Sequence, residues 1–348
     1  MKRIGNIYHK IYDMDNLRLA HLNARKDKGS YAEVQMVDSD VEHYLQELQM
    51  SLINKTYKTS EYTIFEKTEG RKVRTLYKLP YYPDRICQWA IMQILEPILI
   101  KTLIYDTYSA LPGRGPHLAW KRINKAMYHK NDTKYCLKID IHKYYPSISH
   151  DILKQIYRRK IKDNDVLWLI DEIIDSVPSG IPIGNYFSQW SGNLYLSGFD
   201  HWCKEEKKCR FYFRYMDDIV IFHKSKKFLH QLDDEIREYL ARNLKLRVKS
   251  DRQVFKTRSR GLDYVGYRFF DENILLRKST AKTLKTKMIK IKKTCESGLD
   301  LTLNEYCSIN SYRGWIKWCN HHKLEQKYIK PLQPYIDKFN NEVKEKCV

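Results

Sequence analysis

The sequence predicts an α+β protein, with helical segments on either side of a central block of short antiparallel strands. Residues 39–54 and 278–293 carry apolar side chains at helical spacing. Residues 61–80 and 211–222 alternate about short turns, as hairpins do, and residues 135–141 alternate as a single strand.

Taken in order, residues 1–60 read as helical. In SDVEHYLQELQMSLIN, Ser39 precedes Glu42 by three residues as a capping box, and Val41, Leu45, Leu48 and Leu52 share one face. EYTIFEKTEGRKVRTLYKLP reads as a hairpin with Glu69-Gly70 at its tip, followed by a helix from about Asp84 to Thr102 and the Gly-rich TYSALPGRGPHLAW. YCLKIDI is a strand with Tyr135, Leu137, Ile139 and Ile141 on one face and Cys136, Lys138 and Asp140 on the other. Helices are expected over 150–177 and 188–206, and FYFRYMDDIVIF gives two strands joined at Met216-Asp217-Asp218. A charged helix (228–243), a strand pair (244–269) and a Lys-rich helical tail complete the chain. No internal repeat, low-complexity tract or flexible linker interrupts it, so closely packed subdomains are expected.

At 348 residues, with 43% hydrophobic and 30% charged residues, the chain can bury a substantial core. Its 63 Lys and Arg against 42 Asp and Glu leave a net charge of +21, which favours a polyanionic partner through field and counterion release. The 27 tyrosines offer faces for base stacking or filler for a core. Eight cysteines without a CxxC pair argue for free thiols in a reducing cytoplasm, against a zinc module or a disulfide framework. The opening MKRIGNIYHKIYDMD lacks the apolar run of a secretory signal, and AIMQILEPILI is too short to span a bilayer, so a cytoplasmic location without membrane contact is expected. No GxxxxGK[ST] occurs, so any triphosphate must be gripped without a P-loop.

Adjacent carboxylates at a hairpin tip repel, and between apolar strands they are costly unless solvated or neutralised by cations. An isolated Asp-Asp turn is ordinarily a surface turn, but Asp217 and Asp218 lie between Arg-Tyr-Met and Ile-Val-Ile. A third carboxylate, Asp140, leaves the polar face of another apolar strand. If the strands are neighbours, Asp140 and Asp217 can hold two hard divalent cations about 4 Å apart, the arrangement that activates an attacking oxygen and stabilises a leaving one in phosphoryl transfer. Mg²⁺ suits oxygen ligands best. A nuclease could use the same trio.

With these residues in place, the chain resembles reverse transcriptases over most of its length. KIDIHKYYPSI looks like the first palm motif and FRYMDDIVIF like the tyrosine-x-aspartate-aspartate motif; GRKVRTLYKLPYYPDRICQWAI is similar to the fingers pattern K-x-R followed by D-R-I-x-Q. TYSALPGRGPHLAW, containing Arg114, resembles the Gly-Arg segment of bacterial retroelement enzymes, GLDYVGYRFF the primer-grip hairpin, and SINSYRGWIKWCN a thumb helix. The resemblance implies a right-hand fold: an N-terminal helical extension (1–60), fingers (61–130), an antiparallel-sheet palm (131–270) and a helical thumb (271–348). It also implies DNA synthesis on RNA, with two Mg²⁺ ions (Mn²⁺ as the alternative), dNTPs, an RNA template and a DNA primer or cDNA.

Residue by residue, the resemblance makes Asp140 and Asp217 the principal metal ligands and Asp218 the third acid, with Ile141 lending a backbone carbonyl. Tyr145 would lie under the sugar and exclude a 2′-hydroxyl, its alternative being a core aromatic beside Tyr144. Lys72 and Arg74 would clamp the triphosphate, with Arg71 competing, and the alternative is a solvated hairpin face. Tyr215 and Met216 would meet the primer end, as would the hairpin of Tyr264, Gly266 and Tyr267, and Arg114 joins this primer and template set. Where related enzymes carry a lysine able to protonate pyrophosphate, this chain has Arg252, with Lys249 three residues earlier. Arginine gives up a proton poorly, so either Lys249 substitutes or Arg252 only stabilises charge.

Many reverse transcriptases have Q-G-x-x-x-S-P where this chain has Ile183-Gly184-Asn185-Tyr186-Phe187-Ser188-Gln189. The I-G-N-x-x-S-Q form and the opening NLRLAHLNARK resemble the enzymes of bacterial diversity-generating retroelements. The chain is also similar to defence-associated and group II intron-type enzymes. Ile183, Gly184 and Gln189 would then line the nucleotide pocket, and losing the Gln side chain at 183 implies relaxed fidelity. Both the retroelement and the defence reading imply a structured noncoding RNA, and the first adds a small accessory protein. The same residues are compatible with template-independent or protein-primed synthesis, and the same fold with a catalytically silent RNA-binding subunit. In RKSTAKTLKTKMIKIKK, Leu284, Met288 and Ile291 form a stripe for docking while seven lysines face either the duplex or solvent. Cys319, His321 and His322 match no metal-ligand spacing.

Overall fold

The computed structural model of the chain describes residues 3–69 and 72–345. Four helices come first: α1 (Tyr8–Ile11), α2 (Met14–Arg25), α3 (Ala32–Ser39) and α4 (Val41–Ile53). A ribbon of β1 (Thr63–Glu69) and β2 (Lys72–Lys78) precedes α5 (Ile86–Leu99) and α6 (Pro116–Met127). Then come β3 (Tyr135–Asp140), α7 (His150–Arg158), α8 (Asn164–Asp175), α9 (Tyr186–Tyr195) and α10 (Ser197–His201). The hairpin of β4 (Phe211–Tyr215) and β5 (Asp218–His223) leads to α11 (Lys226–Leu244), β6 (Gln253–Lys256) and the short α12 (Thr257–Arg260). A meander of β7 (Leu262–Tyr264), β8 (Tyr267–Phe269) and β9 (Ile274–Leu276) is followed by α13 (Lys278–Glu296), α14 (Leu303–Ile316), α15 (His322–Tyr328) and α16 (Gln333–Glu345). The α+β class expected from the sequence is the one observed.

These elements make two compact units, one from the chain up to Ala119 with Leu137–Phe222 and Lys227–Gln253, the other from Trp120–Cys136, His223–Lys226 and Val254 onward. In the first, α5 is the central helix. It is apolar on most sides, which requires neighbours all round, and Ile86, Ala90, Ile91, Leu95 and Leu99 are fully buried. Asn16 on α2 donates to the Ala90 carbonyl (3.1 Å), joining the two helices through a backbone group. Helix α4 buries Leu45, Leu48 and Leu52 as its spacing predicts, but its start differs from the sequence reading. Ser39 ends α3, and the Asp40 carboxylate caps α4 by accepting from the His43 N–H (3.4 Å). A carboxylate and a hydroxyl satisfy the same orphan donors, so the motif slides by one residue.

The chain's beginning is fastened to its middle. Asp163 caps α8 and also accepts from the N–H groups of Ile7 (2.7 Å) and Tyr8 (3.1 Å), while Ile4 pairs with Ile161 as a parallel bridge. The four-stranded sheet has the order β4-β5-β3-β6. Cys136 is as buried as Leu137 because an inner strand is covered on both faces, so the polar face read from alternation shrinks to Lys138 and Asp140.

In the second unit, β7 and β8 pair Tyr264 with Tyr267 about a turn at Val265 and Gly266, both at positive φ (41° and 87°), the two-residue turn whose twist matches the strands. Leu284, Met288, Ile291 and Cys295 form the buried face of α13. Thr302 and Glu305 cap α14 reciprocally. Among the described residues no cysteine is in a disulfide, and Cys347 lies outside them. Among the described residues no helix is long and apolar enough to cross a membrane.

Candidate active site

Asp140 is the last residue of β3. Beyond it, the His142 N–H donates to the Arg247 carbonyl (2.8 Å) and the Lys249 N–H to the Asp140 carbonyl (3.0 Å), bracketing Ile141 opposite Val248. In such a pair the Ile141 N–H and C=O point away from the 247–249 segment. The Lys249 ammonium lies 2.6 Å from the Asp140 carboxylate.

In the β4–β5 hairpin Tyr215 pairs with Asp218, so the turn consists of Met216 and Asp217 alone. Met216 has φ +56°. Burial raises the Asp217 carboxyl above its ordinary pKa and the Asp140 charge raises it further, while Lys249 and Arg74 oppose the shift. Asp218 is pushed up to about 7, first by burial; Lys138, whose ammonium is 3.3 Å away, opposes this, and Asp217 and Asp140 add to it. The three acids therefore act on one another within a single field, and Arg74, exposed on β2, acts on the same field. The side chain of Lys72, like Arg71, lies outside the described residues.

Tyr145 follows β3 on a short 3₁₀ turn, and its hydroxyl donates to the Met216 sulfur (3.6 Å). Burial raises the Tyr145 pKa, and Asp217 raises it further. Tyr144 is the core aromatic of the pair, its hydroxyl bonded to the Gly192 carbonyl. Gly180 (φ +67°) sits beneath the turn so closely that a Cβ there would meet the Pro146 Cα at 2.6 Å, and the Ile181 N–H donates to the Tyr145 carbonyl (3.0 Å).

Ile183, Gly184 and Gln189 line a cavity of about 310 Å³ together with residues of α2, β2 and α5, among them Gln88 and Trp89, and with Arg85 just before α5. Trp89 stacks on Tyr186 (centroids 4.3 Å apart), and the Tyr77 N–H donates to the Ile183 carbonyl (3.2 Å). None of the three acids lines this cavity. Tyr215 is half-buried and Met216 buried. Arg114 donates through Nη1 to the carbonyls of Ile104 (2.8 Å), Tyr105 and Thr107 (3.3 Å each), which commits it to shaping its own loop. Arg252 pairs with Asp233 (2.9 Å) and Asp234 on α11, whereas Lys249 is at Asp140. In the second unit Tyr264 and Tyr267 are buried, the latter donating to the Trp315 carbonyl (3.1 Å), so they hold the Gly266 turn and do not present ring faces.

Four residues of this neighbourhood escaped the sequence reading. Lys138 had a signal, since alternation puts it on the Asp140 face. Gly180, Gly192 and Arg214 had none: each matters through what approaches it from elsewhere in the chain, as when a Cβ at Gly192 would meet the Met216 sulfur at 3.2 Å. Cys319, His321 and His322 border an open depression. Among the described residues no three or more His, Cys, Asp or Glu side chains are grouped to hold a metal, Asp140, Asp217 and Asp218 included; in this arrangement Asp140 and Asp218 are instead beside the ammonium groups of Lys249 and Lys138.

Comparison with known proteins gives three findings. The reverse transcriptase (RNA-dependent DNA polymerase) family matches residues 65–269. Protein YkfC of Escherichia coli (strain K12) is 24% identical over 246 residues, 58% of this chain, and the chain spans 64% of that relative's length. The structure of apo telomerase from Candida tropicalis aligns with a TM-score of 0.47 at 13% identity, covering 65% of this chain and 52% of the telomerase chain. The family match takes in β3 with Asp140, the Met216–Asp217 turn and the 183–189 segment in one span exceeding half the chain, and so this chain belongs to the reverse transcriptase family.

Proposed function

We propose that this chain is an RNA-directed DNA polymerase that makes cDNA at Asp140, Asp217 and Asp218. One observation carries the reading: a strand end and a hairpin turn bring three acids within reach of one another's charge, and burial first, their mutual repulsion second, raises Asp217 and Asp218 above their ordinary pKa despite Lys138, Lys249 and Arg74 nearby. In this reading residues 61–130 serve as fingers, 131–270 as palm and 271–348 as thumb, after the N-terminal extension over 1–60.

Reverse transcriptases generally use divalent metal ions. The donor chemistry suits them: hard carboxylate oxygens and a backbone carbonyl at Ile141 aimed off its pairing segment. Asp140, Asp217 and Asp218 would hold Mg²⁺, which supplies charge stabilisation to the attacking and leaving oxygens. Lys249, already at Asp140, would move with the leaving pyrophosphate and give it a proton, while Arg252 stays with α11. Tyr145, held by Met216 on one side and Gly180 on the other, would crowd a 2′-hydroxyl, and Arg74 would bind triphosphate oxygens with Lys72.

Extension of a DNA primer on an RNA template, run with and without template, tests the assignment. Product is expected only with template; Asp217→Ala abolishes it and Lys323→Ala does not. Template-free product from the wild type would favour the alternative mode of synthesis, and full activity in Asp217→Ala would remove the acid from the mechanism.

The finer role we propose is low-fidelity copying of a dedicated structured RNA in a diversity-generating retroelement. Ile183 supports this, since an apolar, half-buried side chain offers no directional bond to a base pair being judged. Misincorporation on a defined template should fall in Ile183→Gln; an unchanged error frequency would discard the account.

A further inference from the structure

Arg214, two residues before the Met216–Asp217 turn, is fully buried. Its guanidinium spends every nitrogen: Nε and Nη2 donate to the two Asp200 oxygens (2.8 and 2.6 Å), Nη1 to Asn193 Oδ1 (3.1 Å) and to the Met216 carbonyl (3.0 Å), and Nη2 also to the Asn193 carbonyl (3.2 Å). Asp200, equally buried, further accepts from the hydroxyls of Tyr212 (2.5 Å) and Thr107 (3.4 Å). The Arg214 backbone pairs with the 106–108 segment, its N–H donating to the Asp106 carbonyl (2.9 Å) and its carbonyl accepting from the Tyr108 N–H (3.0 Å).

A buried ion pair is a poor source of stability, because well-packed apolar groups of equal volume often do better. Its value here lies in what it specifies. In a two-residue hairpin turn, positive φ at the first position alone is the pattern that favours glycine, yet Met216 occupies it at +56°. The Met216 side chain is wedged between the Tyr145 hydroxyl and Gly192, and its carbonyl ends on the Arg214 fork. Return of Met216 to negative φ would rotate that carbonyl off the fork and carry Asp217, the next residue, with it.

We propose that Arg214, anchored by Asp200 and aimed by Asn193, is a positioning residue: it clamps the Met216 carbonyl, keeps the turn left-handed and thereby sets where Asp217 stands for nucleotidyl transfer. The proposal rests on the reading of Asp217 given above. It assigns the strain at Met216 and the buried charge at Arg214 to one device, in which a fork of fixed geometry does what a glycine would otherwise do without enforcing one position.

A double-mutant cycle between Arg214→Lys and Met216→Gly tests it. Lysine keeps the charge facing Asp200 but has no fork and cannot serve Asp200, Asn193 and the Met216 carbonyl together. Single-nucleotide extension by Arg214→Lys should lose about tenfold or more in kcat, with the KM for dNTP moving less than about twofold, as misplacement of a reacting group predicts. In the Met216→Gly background the left-handed turn costs little, so the kcat penalty of Arg214→Lys should shrink by at least about threefold. Thermal unfolding without metal or nucleotide should show the same non-additivity in the unfolding midpoint.

Equal penalties in both backgrounds, or a change in KM alone, would overturn the proposal and leave Arg214 an ordinary core residue. If Arg214→Lys does not fold, Asn193→Ala, which removes one of the two acceptors of Nη1 but keeps the Asp200 pair, must show the same dependence on residue 216. Full activity in Asp217→Ala would instead defeat the reading of the acids while leaving the unfolding coupling between 214 and 216 intact, so the two failures are distinguishable.

Discussion

Asp218 joins charge to stability in a way that can be titrated. Its carboxyl is pushed up to about 7, chiefly by burial, so the folded chain holds this proton more tightly than the unfolded chain does. The resulting stabilisation is fully present below the ordinary carboxylate pKa and is lost as pH rises through about 7. In chelator, the unfolding midpoint of the wild type should therefore decline relative to Asp218→Asn between about pH 4 and about pH 8, because the amide has no proton to lose. A constant difference across that range would mean that burial does not hold the proton. The three acids were legible from sequence because clustered carboxylates between apolar strands are anomalous on their own. Gly180 was not, because its role comes from the Pro146 backbone, 34 residues earlier and in contact only after folding.

At the scale of elements, the β7–β8 turn and α14 fix each other through Gly266. A Cβ there would enter the Trp315 ring, and φ is +87°. Gly298 has nearly the same φ, +89°, but a Cβ there would meet nothing within 4 Å, so it separates backbone strain from crowding. Gly298→Ala should cost about 1 kcal/mol, the ordinary penalty for a side chain at positive φ. Gly266→Ala should exceed it by at least about 2 kcal/mol in urea denaturation, and equal costs would show that the Trp315 ring gives way without penalty. Helices with a strong apolar stripe, such as α4 and α13, were legible over most of their length, whereas their ends were not: Asp40 and Ser39 are both competent caps, and α4 uses Asp40. The strands of the first two hairpins were legible because period-two alternation leaves few registers open, but the tip read at Glu69-Gly70 extends outside the described residues, Asp218 belongs to β5 and not to the turn, and the strand pair expected over 244–269 begins only at Gln253. The resemblance named Ile183, Gly184 and Gln189 as pocket residues, but the walls that α2, β2 and α5 add to their cavity were beyond reach, because no local pattern announces their meeting.

For the whole molecule, the net charge of +21 predicts how it meets nucleic acid. Binding to a single-stranded RNA should weaken linearly in log–log terms as salt rises, with a slope of about −0.7 per phosphate contacted. A flat salt response in an equilibrium binding titration would mean that the basic surface is not the binding surface. One further consequence follows from the fastening of Ile4, Ile7 and Tyr8 to the 160–163 segment. A chain made from its amino end cannot close those contacts until Asp163 has been synthesised, so residues 4–8 must wait on the ribosome for a partner that does not yet exist. Tyr8 is made 155 positions before the Asp163 that holds it, so this segment is secured late relative to its synthesis, and slow translation before Asp163 would prolong the time it spends unanchored.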